Sequence, residues 1–303
     1  MRAIGLALAL LFTPACGTAA DPPPPELEAS WADEDWAVFE TVAERAWAEG
    51  VEALEPGAAV ARVGRWFVGT PYEPQTLEQP GPERVVINLR ALDCVTFVEN
   101  VLAIVDFVRA HDPGILADRE RAQAEYVRSL ARWRYRDEIP EGYASRLHYF
   151  SDWLGVHDAR GALELVTADL GGEVDPEPVY FMSAHPDAYP ALANAGELQR
   201  IREVERTLNT SGQRIRLSEN AISDVADRIA EGDVIAATST VPGLDVAHTG
   251  IAVRVDGALH LLHAPLVGDS VEISRRPLAE RILSIEAQDG IMVARPRLSP
   301  PTK

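Results

Sequence analysis

The order of patterns along the chain predicts an α+β fold, on three observations. Apolar residues recur at helical spacing through the first two thirds, β-rich runs crowd the last third, and an Asp-Gly pair joins two of those runs. Helical spacing is found over 31–47, 58–67, 94–110, 119–130 and 197–208. The β-rich runs fall at 233–238, 248–255, 258–263, 270–273 and 291–295. Helices first and strands later predict that the 94–110 helix packs on an antiparallel sheet.

Taken in order, the chain opens on a leader over 1–20. Arg2 gives a basic start, and the apolar run from Ile4 to Phe12 is too short to span a membrane, which fits a secretory signal. Cys16 after Pro14-Ala15 resembles a lipoprotein acceptor, although Thr13 stands where a larger aliphatic residue is usual. Cleavage after Ala20 is the rival. Asp21 and the run Pro22 to Pro25 read as an extended tether over 21–30. One sizeable domain follows over 31–298, with an insertion at about 112–209, rich in charge and aromatics, that walls a cleft. The chain is thus expected to be exported, as a periplasmic protein or an outer-membrane lipoprotein anchored through Cys16.

A formal net charge of −19 argues against nucleic acid as a partner, because a phosphate-binding surface needs clustered Lys and Arg. With Cys16 lipidated or removed, Cys94 has no intrachain partner, so this is no disulfide scaffold. There is no internal repeat, phosphate loop or zinc-finger spacing.

Cys94 stands where a reactive thiol is easiest to build. Asp93 is a good N-cap, Cys94 would be the first helical residue, and Val95, Val98, Val101, Leu102, Val105 and Val108 continue the helical pattern. Helix-start amides and the positive end of the helix dipole are expected to favour the thiolate. The candidate base is His248, at the start of a run that ends at Val255. Asp256-Gly257 then signals a hairpin whose return, Ala258 to His263, ends on a second histidine. In such a hairpin the two imidazoles can be neighbours at one edge, His263 orienting His248 while the other ring nitrogen faces the sulfur. His260 should point to the opposite face.

Asp-Cys at a helix start, Gly232-Asp233-Val234-Ile235 opening a strand, His248-Thr249-Gly250-Ile251, and His263-Ala264 together resemble the NlpC/P60 cell-wall cysteine hydrolases. Within them the chain is most similar to the DUF1460 branch, described as N-acetylmuramoyl-L-alanine amidase-like. Further matches are Asn88 to Glu99, Tyr143 to Phe150, Phe181-Met182-Ser183 and His185-Pro186. The resemblance implies a papain-like core, a peptidoglycan or muropeptide substrate, Cys94, His248 and His263 as catalytic residues, and no metal or other cofactor. Asp93, Thr96, Ser145, Arg146 and Tyr149 are candidates for the substrate groove, Arg146 being suited to a carboxylate through its planar fork.

Many NlpC/P60 enzymes follow the Asp-Cys pair with Ser-Gly, the Asp and Ser helping to hold a free α-amine; here Val95 and Thr96 follow. Valine offers an ammonium no hydrogen bond, which favours the sugar-proximal N-acetylmuramoyl-L-alanine bond over the γ-D-glutamyl bond deeper in the stem. Three rivals stand beside this reading. A γ-D-glutamyl-diamino acid endopeptidase would use the same residues, a zinc amidase would draw on His148, His157, His185, His248 and His263, and a noncatalytic wall-binding lipoprotein would use none.

Overall fold

A computed structural model describes residues 27–211 and 214–298. The leader, Cys16 and the first part of the tether lie outside the described residues. The end of that tether is tied to the body: β1 (Ala29–Ser30) pairs in parallel with β2 (Val85–Val86).

The helical half comes first. Helices α1 (Asp33–Ala48), α2 (Pro56–Trp66), α3 (Cys94–Ala110) and α4 (Arg119–Arg134) precede α5 (Phe150–Ala159). Short strands β3 (Leu163–Leu165) and β4 (Glu173–Val174) follow, then α6 (Phe181–Ala184) and α7 (Ala195–Ser211). The last third holds β5 (Ile215–Ser218), α8 (Ile222–Val225), β6 (Val234–Ser239), β7 (Val246–Val255), β8 (Ala258–His263), β9 (Glu272–Ile273), α9 (Leu278–Leu283) and β10 (Gln288–Pro296). Strands β3 to β10 form an antiparallel sheet in the order β4-β5-β10-β6-β7-β8-β9, with β3 added on β10. The fold class is α+β, as the sequence pattern predicts.

Both faces of this sheet are covered, which is why every residue of β6 is buried. Ile251, Val253 and Leu262 join Phe97, Val101 and Val60 in one apolar cluster, so α2 and α3 cover one face. Ala252, Leu259 and Leu261 join Leu278 and Ile282 in another, so α9 covers the opposite face. Each Val, Leu, Ile or Phe among them contributes about 1.5–3 kcal/mol by leaving water. The β7–β8 turn falls on Asp256-Gly257, both at positive φ (49° and 85°), as a tight two-residue hairpin requires.

Helix α4 belongs to the central core and not to a wall over a cleft. Tyr126 Oη donates to Asn100 at 2.6 Å, Trp133 Nε1 to Asp106 at 2.8 Å, and Arg134 Nε to Glu99 at 2.7 Å, all across the α3–α4 contact. A separate cluster, including Tyr143, Tyr149, Val179, Met182, Ile201 and Leu208, marks the segment with a core of its own. Leu147, Phe150, Trp153 and Leu154 join the central cluster instead, so the stretch expected as an insertion at about 112–209 contributes to both clusters. Of the α4 arginines, Arg134 pairs with an acid on α3, Glu99, while Arg119 pairs with Asp33 of α1 and Arg128 with Glu125 of α4 itself.

Candidate active site

Helix α3 begins with a cap written into its own sequence. Asp93 is extended, and its Oδ1 accepts from the amides of Val95 at 3.0 Å and Thr96 at 2.8 Å; Thr96 Oγ1 accepts from Asp93 N at 2.9 Å. Of the first-turn amides that no helical carbonyl can serve, this reciprocal box leaves that of Cys94, beside its own sulfur. Thr96 is buried and supports the site from beneath, whereas Asp93 is half-buried.

The histidines come from β7 and β8. Ile251 pairs with Leu262, and continuing that register sets Gly250 directly opposite His263, with His248 one diagonal step away on the same face. A Cβ at Gly250 would lie 2.6 Å from Leu262 O and 2.9 Å from His263 Cβ, so only glycine lets the second imidazole lie there. The β6–β7 pairing slips between Ala237 and Thr238, which leaves Ala247 as an extra residue and re-aims the chain just before His248. The outcome is a hydrogen bond of 2.7 Å between His248 Nε2 and His263 Nδ1, with the rings nearly perpendicular at 87°. Nδ1 of His248 remains for a proton exchange. His260, on the other face, bonds Ser274 O through Nδ1 at 2.7 Å.

The sulfur belongs to the same locus, since the Thr249 backbone amide, adjacent to His248, is among the groups that favour its anion. The resting protonation differs from the sequence expectation. Burial, and then the negative charge of Asp93, push the Cys94 thiol up to about 12, against the downward pull of the Thr249, Cys94 and Val95 amides. Helix-start amides do favour the anion, but enclosure and the carboxylate that caps the helix outweigh them. Burial and the nearby Arg281 cation hold His248 down to about 3; burial, His248 and Arg281 hold His263 down to about 2. The resting site is a neutral thiol beside two neutral imidazoles.

Two residues not singled out in the sequence belong here. Tyr72 is held by a bridge to Leu92 and by its amide on Asp269 O at 3.0 Å; burial, Cys94 and Asp93 push its phenol up to about 12, so it stays a proton donor. Arg281, on α9, lines a cleft of about 490 Å³ together with His248, His263, Glu272 and Gln288. Neither had a sequence signal beyond its residue type, because a short loop and a six-residue helix carry them.

The remaining groove candidates lie elsewhere. Arg146 is buried, with Nη1 on Glu78 at 2.8 Å, Nη2 on Glu83 at 2.9 Å and Nε on Glu83 at 3.1 Å, so its fork is already filled by carboxylates. Tyr149 is buried, donating to Glu205 at 2.7 Å and accepting from Met182 N at 2.8 Å. Ser145 Oγ donates to Gly142 O at 2.7 Å and closes a local turn. These three hold the segment from Tyr143 onward in place. His148, His157 and His185 each bond a separate backbone carbonyl, and among the described residues no group of three or more His, Cys, Asp or Glu could hold a metal.

Comparison with known proteins follows the same architecture. A Bacteroides uniformis N-acetylmuramoyl-L-alanine amidase is 34% identical, with a TM-score of 0.70 over 80% of this chain and 99% of that one. A Bacteroides fragilis protein provisionally named a xylanase is 36% identical, with a TM-score of 0.69 over 77% of this chain and 98% of that one. A Legionella pneumophila protein of the DUF1460 family, at 17% identity, shares the fold, with a TM-score of 0.62 over 89% of this chain and 97% of that one. A search of curated proteins finds no match. Residues 62–291 match the AmiA-like family, described as N-acetylmuramoyl-L-alanine amidase-like. The chain belongs to the AmiA-like, N-acetylmuramoyl-L-alanine amidase-like family.

Proposed function

We propose that this protein is a cysteine-dependent peptidoglycan amidase that cleaves the bond between N-acetylmuramic acid and L-alanine, on a papain-like core of the NlpC/P60 kind. The observation that carries the reading is the 2.7 Å His248–His263 bond, next to Thr249, whose amide favours the anion of Cys94. Family membership supports a peptidoglycan substrate.

In this mechanism the thiol proton passes to His248 Nδ1 as the sulfur attacks the lactyl carbonyl, and the two neutral groups ionise together only at that moment. His263 holds the His248 ring and its tautomer through the Nε2 contact. The Cys94 amide that the capping box leaves over donates to the developing oxyanion, with the Tyr72 hydroxyl as a second donor. His248 then returns its proton to the leaving L-alanine nitrogen. Water, deprotonated by the same imidazole, hydrolyses the thioester and releases the lactyl carboxylate.

Val95 after Cys94 supports the muramoyl-L-alanine bond over the γ-D-glutamyl bond, since nothing at that position could bond a free α-amine. Glycoside hydrolysis, the other activity named among the similar structures, uses a pair of carboxyl groups, whereas the cleft beside His263 is lined by one, Glu272. The leader supports export, to the periplasm or to the outer membrane through lipidated Cys16. Fractionation of wild type and Cys16→Ala checks that placement, the variant becoming soluble if the anchor is real.

Mass spectrometry of products from a purified N-acetylmuramoyl peptide tests the bond. Sugar and a whole peptide beginning with L-alanine are expected. Release of L-Ala-γ-D-Glu and a peptide beginning with the diamino acid would assign the endopeptidase reaction instead.

A further inference from the structure

The cleft beside the histidine pair has an electrostatic character unlike the rest of the chain. The whole sequence carries a net charge of −19, yet three arginines, Arg275, Arg276 and Arg281, line this cleft against one carboxylate, Glu272. Arg281 is the half-buried member, and its one side-chain hydrogen bond is a long one, Nη1 to Gln288 Oε1 at 3.3 Å. No carboxylate among the described residues lies within ion-pair distance of it; Glu272 acts on it from further away. Its charge reaches Cys94, His248 and His263 alike. A further polar atom at this locus, His263 Nε2, is buried without a hydrogen-bond partner, 4.0 Å from Glu272 Oε1.

A partly desolvated guanidinium with most of its donors unused is a receptor for a carboxylate, which it can bind with two parallel hydrogen bonds. The substrate class limits where that carboxylate can come from. In an N-acetylmuramoyl peptide the lactyl carboxyl is consumed in the scissile amide, so the anion must belong to the leaving peptide. The first one beyond the bond is the α-carboxylate of the second, γ-linked glutamyl residue.

We propose that Arg281 binds the α-carboxylate of the second stem residue and so selects stems in which that group is free over those in which it is amidated. The inference rests on the amidase reading given above. Binding has a second consequence. The bound anion offsets the Arg281 cation just where His248 must become imidazolium, so recognition of the stem also favours proton uptake during acylation. Selectivity should therefore be seen in kcat as well as in KM.

The test uses two N-acetylmuramoyl tripeptides that differ only in whether this α-carboxylate is free or amidated, with wild type, Arg281→Gln and Arg281→Lys. Wild type should prefer the free acid by roughly 10- to 100-fold in kcat/KM, the range of a charge-assisted bidentate contact. In Arg281→Gln the ratio between the two substrates should fall toward one, and Arg281→Lys, charged but without the fork, should lie between. Wild type cleaving both tripeptides equally would overturn the inference and leave the amidase reading standing. An unchanged ratio in Arg281→Gln, with both rates lowered together, would make Arg281 merely structural. Failure of wild type to release N-acetylmuramic acid from either substrate would remove the amidase reading and this inference with it. Should Arg281→Gln not fold, the wild-type ratio and Arg281→Lys still decide.

Discussion

Arg146 and Arg281 are both withdrawn from water, and their surroundings are opposite. Arg146 has two glutamates, Glu78 and Glu83, and a backbone carbonyl on its fork, and the Tyr143 ring beneath it at 4.9 Å. Arg281 has one amide oxygen at 3.3 Å and the histidine pair for company. A guanidinium supplied with carboxylates by its own chain is there to hold the chain together; one left short of them is available to a ligand. Sequence reading chose Arg146 for the carboxylate because it stands in a motif, and the fold hands that task to an arginine with no motif at all.

The contrast predicts that changes around Arg281 and its histidines abolish activity and spare the fold, whereas changes around Arg146 do the reverse. The largest effect should be Cys94→Ala or His248→Ala, each lowering kcat by at least roughly 10³-fold, with the melting temperature nearly unchanged, since the covalent route needs both groups. Near-wild-type hydrolysis by Cys94→Ala would end the cysteine mechanism. Gly250→Ala should come next. The added methyl meets Leu262 O and His263 Cβ at 2.6 and 2.9 Å, so the imidazole pair must separate, and a loss of roughly 10²-fold in kcat is expected with the core intact. His263→Asn should cost less than His248→Ala, because an amide can still bond an imidazole; equal losses would make His263 more than an orienter.

On the other side, Arg146→Met leaves Glu78 and Glu83 without their cation and should cost about 3–5 kcal/mol in urea unfolding, with kcat per folded molecule retained. Loss of activity without loss of stability there would dissolve the contrast. The smallest effects come from pH. His248 and His263 are held near 3 and 2 in the folded protein, below their usual 6.5, so the unfolded chain binds more protons between those values. Stability should thus fall as pH drops below about 6.5 and level off only near pH 2, a trend that a histidine-free variant would flatten. Iodoacetamide modification of Cys94 should climb steadily through pH 9 and beyond, because the thiol is pushed up to about 12. A plateau by pH 7 would mean a preformed thiolate–imidazolium pair instead.

Helix α3 and the β7–β8 hairpin were legible because their signals are local. Asp93 and Thr96 sit three residues apart, as a capping box requires, and Asp256-Gly257 can adopt the paired positive φ that a two-residue turn demands. Helix α9 was not legible, being six residues long and too short to show a period. Helix α4 is polar by composition, and its buried face, with Tyr126, Leu130 and Trp133, shows itself only against α3.

The sequence by itself determined the fold class, the capped start that exposes one amide beside Cys94, and the hairpin that brings two histidines to one edge. All of these follow from contacts within a few residues or across one turn. Tertiary structure alone decided the protonation of the site, because burial and the charges of Asp93 and Arg281 set it from three separate elements. It alone decided that Arg146 is paired with carboxylates and that Arg281 is not. Desolvation and long-range charge depend on what lies within a few ångströms in space, and residues 94, 248, 263 and 281 become neighbours only when the sheet has closed between α3 and α9.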